Sequence, residues 1–305
     1  MSTRTGHQPS MDEPAVQLDN LWRTFPQRRS SPFATAPPPV QALADVSLAI
    51  PRGSRFGIVG ESGSGKTTLM RLIAALDRPT RGTLRINGVD ISGLREPALG
   101  FLRRSVQIVF QDPMGSLDPR MRIRDIIAEP LRVQHVPDID AAVSATLEQV
   151  GLPAAAGSRY PHQFSGGQRQ RISIARAIAP GPQILLADEA VSALDVTVRA
   201  QILALLGAIA TDRELTLIFV SHDLAVVRRV CDQVAVLKDG RVVETGATEQ
   251  VYRHPTDPYT RDLLAAVPTL AKGLAAAQAR REDRARRQDR ADTDTGQQGR
   301  AGSGA

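Results

Sequence analysis

Between the apolar run 55–59 and the segment LMRLIAAL stand nine residues rich in small side chains: Gly60, Glu61, Ser62, Gly63, Ser64, Gly65, Lys66, Thr67 and Thr68. Small residues let a backbone close around an anion with its N–H groups turned inward, and the start of a following helix adds partial positive charge. In the spacing G-x-x-x-x-G-K-[ST], Lys66 is placed to reach the β- and γ-phosphates of a nucleotide, and the Thr67 hydroxyl to ligate Mg²⁺. The bland alternative is a Gly/Ser turn that happens to precede a lysine. From average residue usage that pattern arises in on the order of one chain in a hundred, and an expected strand before it with an expected helix after it weigh further against accident.

Phosphate chemistry also needs a carboxylate for the metal and a group that activates water. The run ILLADEA supplies Asp188 and Glu189 at the end of an apolar strand, where neighbours can take different roles: Asp188 positioning Mg²⁺ and Glu189 polarising water as general base. In FSGGQ, residues 164–168, Ser165, Gly166 and Gly167 open an Arg-rich helical segment, a second helix start suited to an anion. Two cradles with a single lysine loop suit an arrangement in which each serves a different nucleotide. His222, in SHD, ends a further buried strand, where an imidazole can meet a γ-phosphate; a lone histidine there is more often structural.

These residues must be held by an α/β frame. VQLDNLWRTF and ALADVSLAI read as strands around a Pro-rich loop at 26–41, RFGIV as a buried strand, and GKTTLMRLIAAL as a helix stopping near Asp77. GTLRINGVDI reads as a short hairpin and SVQIVFQDP as another buried strand. Residues 114–180 switch to helices, with Asp138 or Asp140 as caps and Gly151 as a stop. QILLADEA, VTVRAQILALLGAIA, LTLIFVSHD and LAVVRRVCD then restore strand–helix alternation, which implies a mainly parallel sheet covered on both faces. QVAVLKDGRVVETG closes the unit with a hairpin turned at Asp239-Gly240.

The 305 residues, 42% hydrophobic and 23% charged, suit one large globular domain or two. The longest uncharged apolar run, AQILALLGAIA, is too short to span a bilayer. The start of the chain lacks the apolar core of a secretory signal, and Cys231 is the single cysteine. A cytosolic setting without disulfides or a cysteine-held metal cluster is expected. About half of the net charge of +6 comes from residues 271–305, where mixed charges with Ala, Gly and Gln suggest a solvated, disordered tail; the basic balance does not make this a nucleic-acid protein.

Taken in order, GESGSGKT, the Gln111 loop in VFQDP, FSGGQ, ILLADE, SALD at 192–195 and His222 resemble the ATPase subunits of ABC transporters, over about residues 15–268. The resemblance implies a P-loop NTPase core with a mainly parallel sheet, an antiparallel β subdomain and an inserted helical subdomain at about 114–180, flanked by tails at 1–14 and 271–305. It implies ATP and Mg²⁺ as cofactors. ATP would lie between residues 60–68 of one ATPase domain and the signature of a second, where Ser165, Gly166, Gly167 and Gln168 would meet the γ-phosphate and Asp195 would approach on closure. Glu189 and His222 would be catalytic, Gln111 would sense Mg²⁺ alongside Thr67 and Asp188, and Phe25 would stack on adenine. Residues 112–131 would receive a short helix from a membrane subunit. One departure is Ala190, where many of these proteins have proline after the glutamate.

The segment HPTDPYTRDLLAAVP, 254–268, with FQDPMGSLDPRM and DEAVSALDVTVRAQIL, is similar to the oligopeptide and dipeptide permease branch. That branch implies two membrane-spanning permease subunits, a second and related ATPase chain, an extracytoplasmic solute-binding protein, and a place at the cytoplasmic face of the membrane. Nickel or another small solute as cargo, and an accessory ATPase of a soluble enzyme complex, remain alternatives at this point.

Overall fold

The computed structural model describes residues 13–27, 37–192 and 194–266. Most of the tail expected at 1–14, most of the Pro-rich loop at 26–41, the last two residues of the 254–268 segment and the charged tail at 271–305 lie outside the described residues.

In chain order the elements are β1 (Val16–Phe25), β2 (Val40–Ile50), β3 (Arg55–Val59), α1 (Lys66–Ile73), β4 (Arg81–Ile86), β5 (Val89–Asp90), α2 (Gly100–Ser105), β6 (Val106–Val109), α3 (Pro113–Ser116), α4 (Ile123–Val133), α5 (Ile139–Gln149), α6 (Gly166–Ile178) and β7 (Ile184–Asp188). They continue with α7 (Val196–Asp212), β8 (Thr216–Ser221), α8 (Leu224–Val230), β9 (Gln233–Lys238), β10 (Arg241–Ala247), α9 (Thr248–Arg253) and α10 (Pro258–Ala266). A second compact unit begins at Asp262, within α10.

Two sheets form. A six-stranded sheet has the order β10-β9-β3-β8-β7-β6, with β9 through β6 parallel and only β10 antiparallel. Its central strands are apolar on both faces, as parallel strands between layers must be: every residue of Thr216–Ser221 is buried. A four-stranded antiparallel sheet, β2-β1-β4-β5, carries the alternating patterns. Its β4–β5 hairpin turns at Asn87-Gly88, both left-handed at φ 52° and 80°, the backbone that a two-residue turn between twisted strands requires. α1 lies in the core that joins the sheets, with Leu69 and Leu72 packed among Leu43, Ile58 and Leu186.

From Pro113 to Ile178 the chain is helical. Asp138 caps α5 by accepting from Ala141 N–H at 3.2 Å, and Gly151, at φ 72°, follows its end. α1 stops at Ile73, short of the end expected near Asp77. Ala75 turns left-handed at φ 50°, and the N–H groups of Leu76 and Asp77 both fold back onto Arg71 O. No helix among the described residues is long and apolar enough to cross a membrane.

Candidate functional site

Four neighbouring parallel strands, β3, β8, β7 and β6, end at the same edge, with Val59 opposite Ser221, Asp188 opposite Val220 and Val109 opposite Ala187. The segments leaving those ends carry residues 60–68, His222, Glu189 and Gln111. Ligands of open α/β sheets gather at such carboxyl ends.

The loop after β3 leads into α1 through Gly65, at φ 103°. A Cβ there would lie 2.6 Å from Ala42 O, so glycine serves both the left-handed backbone and the close approach of β2. A Cβ on Gly60 would lie 2.2 Å from Leu237 O. The Asp239-Gly240 turn braces the loop, with Gly240 N–H donating to Ser64 O at 3.0 Å and Ala44 N–H to Gly240 O at 2.8 Å. Lys66, 6% exposed, donates from Nζ to Gly60 O and Glu61 O, each at 2.7 Å. Burial holds its pKa below the ordinary lysine value, opposed by the charges of Glu189, Asp188 and Glu61. Glu61, Ser62, Gly63 and Thr67 are exposed and Thr68 is half-buried, while Ser64 and Lys66 are buried, so the loop presents its tip and Thr67 to solvent.

Asp188 ends β7 and Glu189 follows in the left-handed region at φ 42°, its N–H donating to Val220 O at 3.0 Å. That kink turns adjacent carboxylates in different directions. Glu189 Oε1 lies 2.9 Å from His222 Nδ1, and Gln111 Nε2 donates to Glu189 Oε2 at 3.1 Å and to Ser192 Oγ at 3.4 Å. Asp188 lines a cavity of about 510 Å³ together with Gln111 and Ser116. Its pKa is raised by burial and by Glu189, and lowered by Lys66. A hydroxyl and a carboxylate are hard oxygen donors of the kind Mg²⁺ takes alongside phosphate oxygens, and Thr67 and Asp188 are the residues that would supply them. Glu189, held between an imidazole and an amide, is in position to take a proton from a water placed before it.

The remaining candidates stand apart from this cluster. Ser165 caps α6 by accepting from Gln168 N–H at 3.3 Å, while the Gln168 side chain accepts from Ser165 N–H at 3.0 Å. Ser165, Gly166 and Gln168 are exposed, and among the described residues none of Ser165, Gly166, Gly167 and Gln168 is hydrogen-bonded to residues 60–68. Asp195 caps α7 by accepting from Thr197 and Val198 N–H, each at 3.0 Å; Ala193, beside it in SALD, lies outside the described residues. α6 meets α7 through Gly167, where a Cβ would lie 2.5 Å from Val198 Cγ1. Because a β-branched valine cannot swing aside, Gly167→Ala is expected to force the helices apart and cost about 1–3 kcal/mol, read as a lower denaturation midpoint. An unchanged midpoint would show that this contact yields freely. Phe25 is half-buried at the end of β1 opposite Val40, with the Arg23 guanidinium 4.2 Å from its ring centroid. Since Ala42 touches Gly65, that strand end borders the loop.

Two neighbours escape local sequence reasoning. The Tyr259 hydroxyl accepts from Glu61 N–H at 3.0 Å, and Ser192 joins Gln111. The only sequence signal for Tyr259 is its place in the Pro-braced stretch 254–260.

Residues 43–192 match the ABC transporter family. The chain is 44% identical over 257 residues to the oligopeptide transport ATP-binding protein OppF of Streptococcus mutans serotype c, covering 83% of this chain and 81% of that protein. It is 48% identical over 259 residues to the glutathione import ATP-binding protein GsiA of Escherichia coli strain K12, covering 84% of this chain and 41% of GsiA. Among solved structures, a dimeric ATP-binding cassette in a post-hydrolysis state bound to ADP and Pi superposes with a TM-score of 0.67 at 30% identity, over 76% of this chain and 98% of that one. CbiO1 from Clostridium perfringens, part of the ABC transporter complex cbiONQ, superposes with a TM-score of 0.69 at 26% identity, over 80% of this chain and 92% of that one. The match over residues 43–192 and the 44% identity to OppF along 81% of that protein's length make this chain a member of the ABC transporter family, an ATP-binding and ATP-hydrolysing subunit.

Proposed function

We propose that the chain energises an importer of oligopeptides or dipeptides, working at the cytoplasmic face of the membrane with two membrane-spanning permease subunits, a second ATPase chain and an extracytoplasmic solute-binding protein. The observation that carries the cargo class is the match to OppF along 81% of that protein's length. In this reading residues 60–68 bind the phosphates of ATP, Thr67, Gln111 and Asp188 serve Mg²⁺, and Phe25 borders the base. Glu189 accepts the proton of the attacking water and His222 aligns it. Ser165, Gly166, Gly167 and Gln168 face the nucleotide of the partner ATPase, with Asp195 completing the closed pair. ATP then acts as the ligand that favours closure, and its hydrolysis releases it.

A groove of about 610 Å³ supports contact with the permease subunits. Val106, Ile108, Phe110, Pro130 and Val133 line it, with Arg103, Arg104 and Glu129 among its polar neighbours. Val133 is 75% exposed and Phe110 42%, unusual for large apolar side chains and suited to the apolar face of a short helix. The groove reaches beyond the stretch 112–131, to residues 100–110 and 173–177.

The test is gentle detergent purification from native membranes, identifying by mass what accompanies the tagged chain. Two membrane subunits, a second ATPase and a solute-binding protein are expected; soluble enzymes without membrane subunits would sink the importer reading. In the same assay Val133→Asp should lower recovery of the membrane subunits about tenfold while the purified variant still hydrolyses ATP. Full recovery would place their docking site elsewhere.

A further inference from the structure

The peptide joining Gly60 to Glu61 is held from both ends of its dipole. Its carbonyl oxygen accepts from Lys66 Nζ at 2.7 Å, and its N–H donates to the Tyr259 hydroxyl at 3.0 Å. A peptide unit is planar and turns as one body, and a glycine on one side leaves it free to turn unless something pins it. Tyr259 supplies the pin from 198 positions along the chain.

The tyrosine is itself held. Glu244, on β10, is 9% exposed and accepts from Thr256 N–H and Thr256 Oγ1, each at 2.9 Å, and from Asp257 N–H at 3.2 Å. Asp257 Oδ1 in turn accepts from Tyr259 N–H at 2.8 Å. Lys238 Nζ lies 4.8 Å from the tyrosine ring centroid, next to the Asp239-Gly240 turn that braces Ser64. Burial pushes the pKa of the hydroxyl up, the Glu61 N–H acting the other way, so the group stays protonated around neutrality.

We propose that Tyr259 is a positioning residue for nucleotide binding: by accepting from Glu61 N–H it fixes the loop peptide whose carbonyl anchors Lys66, so that the segment after β10 sets the affinity of the phosphate loop. The proposal rests on the phosphate-binding reading of residues 60–68. Without the hydroxyl, the peptide is held from its carbonyl end alone, by Lys66, and its N–H end can swing. Lys66 loses a fixed anchor, and part of the binding free energy goes into ordering the loop.

Tyr259→Phe keeps the ring and its packing and removes only the acceptor. Titrated with a fluorescent ATP analogue, the variant should bind about fivefold more weakly. KM for ATP should rise by a similar factor with kcat nearly unchanged, and the nucleotide-free melting temperature should stay within about 2 °C. Glu244→Gln should shift affinity in the same direction, and adding it to Tyr259→Phe should weaken binding little further, since both act through one contact. Weakened binding in Lys66→Ala with none in Tyr259→Phe overturns this assignment alone. Unchanged binding in both overturns it together with the phosphate-binding reading. A loss in Tyr259→Phe matched by a lower nucleotide-free melting temperature reduces Tyr259 to a packing residue, which also overturns it.

Discussion

Glu189→Gln is expected to lower steady-state ATP hydrolysis by about 10²–10⁴-fold while leaving ATP affinity within about threefold of the parent. The substitution keeps the shape of the side chain. An amide oxygen can still accept from Gln111 Nε2, now 3.1 Å from the carboxylate, and the left-handed backbone at φ 42° is untouched. What is lost is the capacity to take a proton. His222 Nδ1 lies 2.9 Å from the same carboxylate, and because an amide offers both a donor and an acceptor, the variant can keep that contact with either tautomer of the ring. Phosphate release and nucleotide titration separate the outcomes. Hydrolysis at the parent rate would remove Glu189 from the chemistry, and loss of affinity in step with turnover would make it a structural residue.

Elements with a strong local signal were legible in the sequence. The alternating run of β1, the short apolar run of β8 and the long run of helix-forming residues in α7 coincide closely with the expected segments, because alternation, length and residue type each carry a local signal. The helix start expected at Ser165 is where α6 begins, and in the structure Ser165 and Gln168 close it as a capping box. Short helices were not legible: Gly100–Ser105 and Thr248–Arg253 have six residues each, too few to show a period. At the early end of α1 a group distant in sequence, the Arg103 guanidinium, donates to Ala74 O at 2.8 Å, a contact that no local pattern announces. Roles within the site divide in the same way. The loop at 60–68 is contiguous and reads directly, whereas the contacts of Gln111 with Glu189 and of Tyr259 with Glu61 span 78 and 198 positions and exist only once the strands are ordered. Local sequence chemistry names reacting groups, and topology decides which of them touch.

Lys66→Ala is expected to weaken ATP binding about 30- to 1000-fold, the usual consequence of removing one partner of a buried, hydrogen-bonded charge pair. The ammonium is held at a cost that burial imposes, which is why its pKa lies below the ordinary lysine value of 10.5 despite the nearby charges of Glu189, Asp188 and Glu61. A triphosphate would supply the missing counter-charge, so the free energy spent in burying the cation is recovered on binding. The sign with pH follows. In the nucleotide-free chain Lys66 loses its proton as the pH rises through a value below 10.5, and above it the chain must take up a proton to bind. Wild-type affinity should therefore fall with rising pH in that alkaline range, and the alanine variant should lack this step. Folding should respond differently. Because the folded state depresses this pKa, removal of the charge relieves a desolvation cost, and against it stand two carbonyls, Gly60 O and Glu61 O, that lose a donor at 2.7 Å. These effects oppose each other, so nucleotide-free stability should change far less than affinity. A titration showing equal affinity with and without the lysine, or a variant that loses its fold before it loses ATP, would remove Lys66 from the cradle.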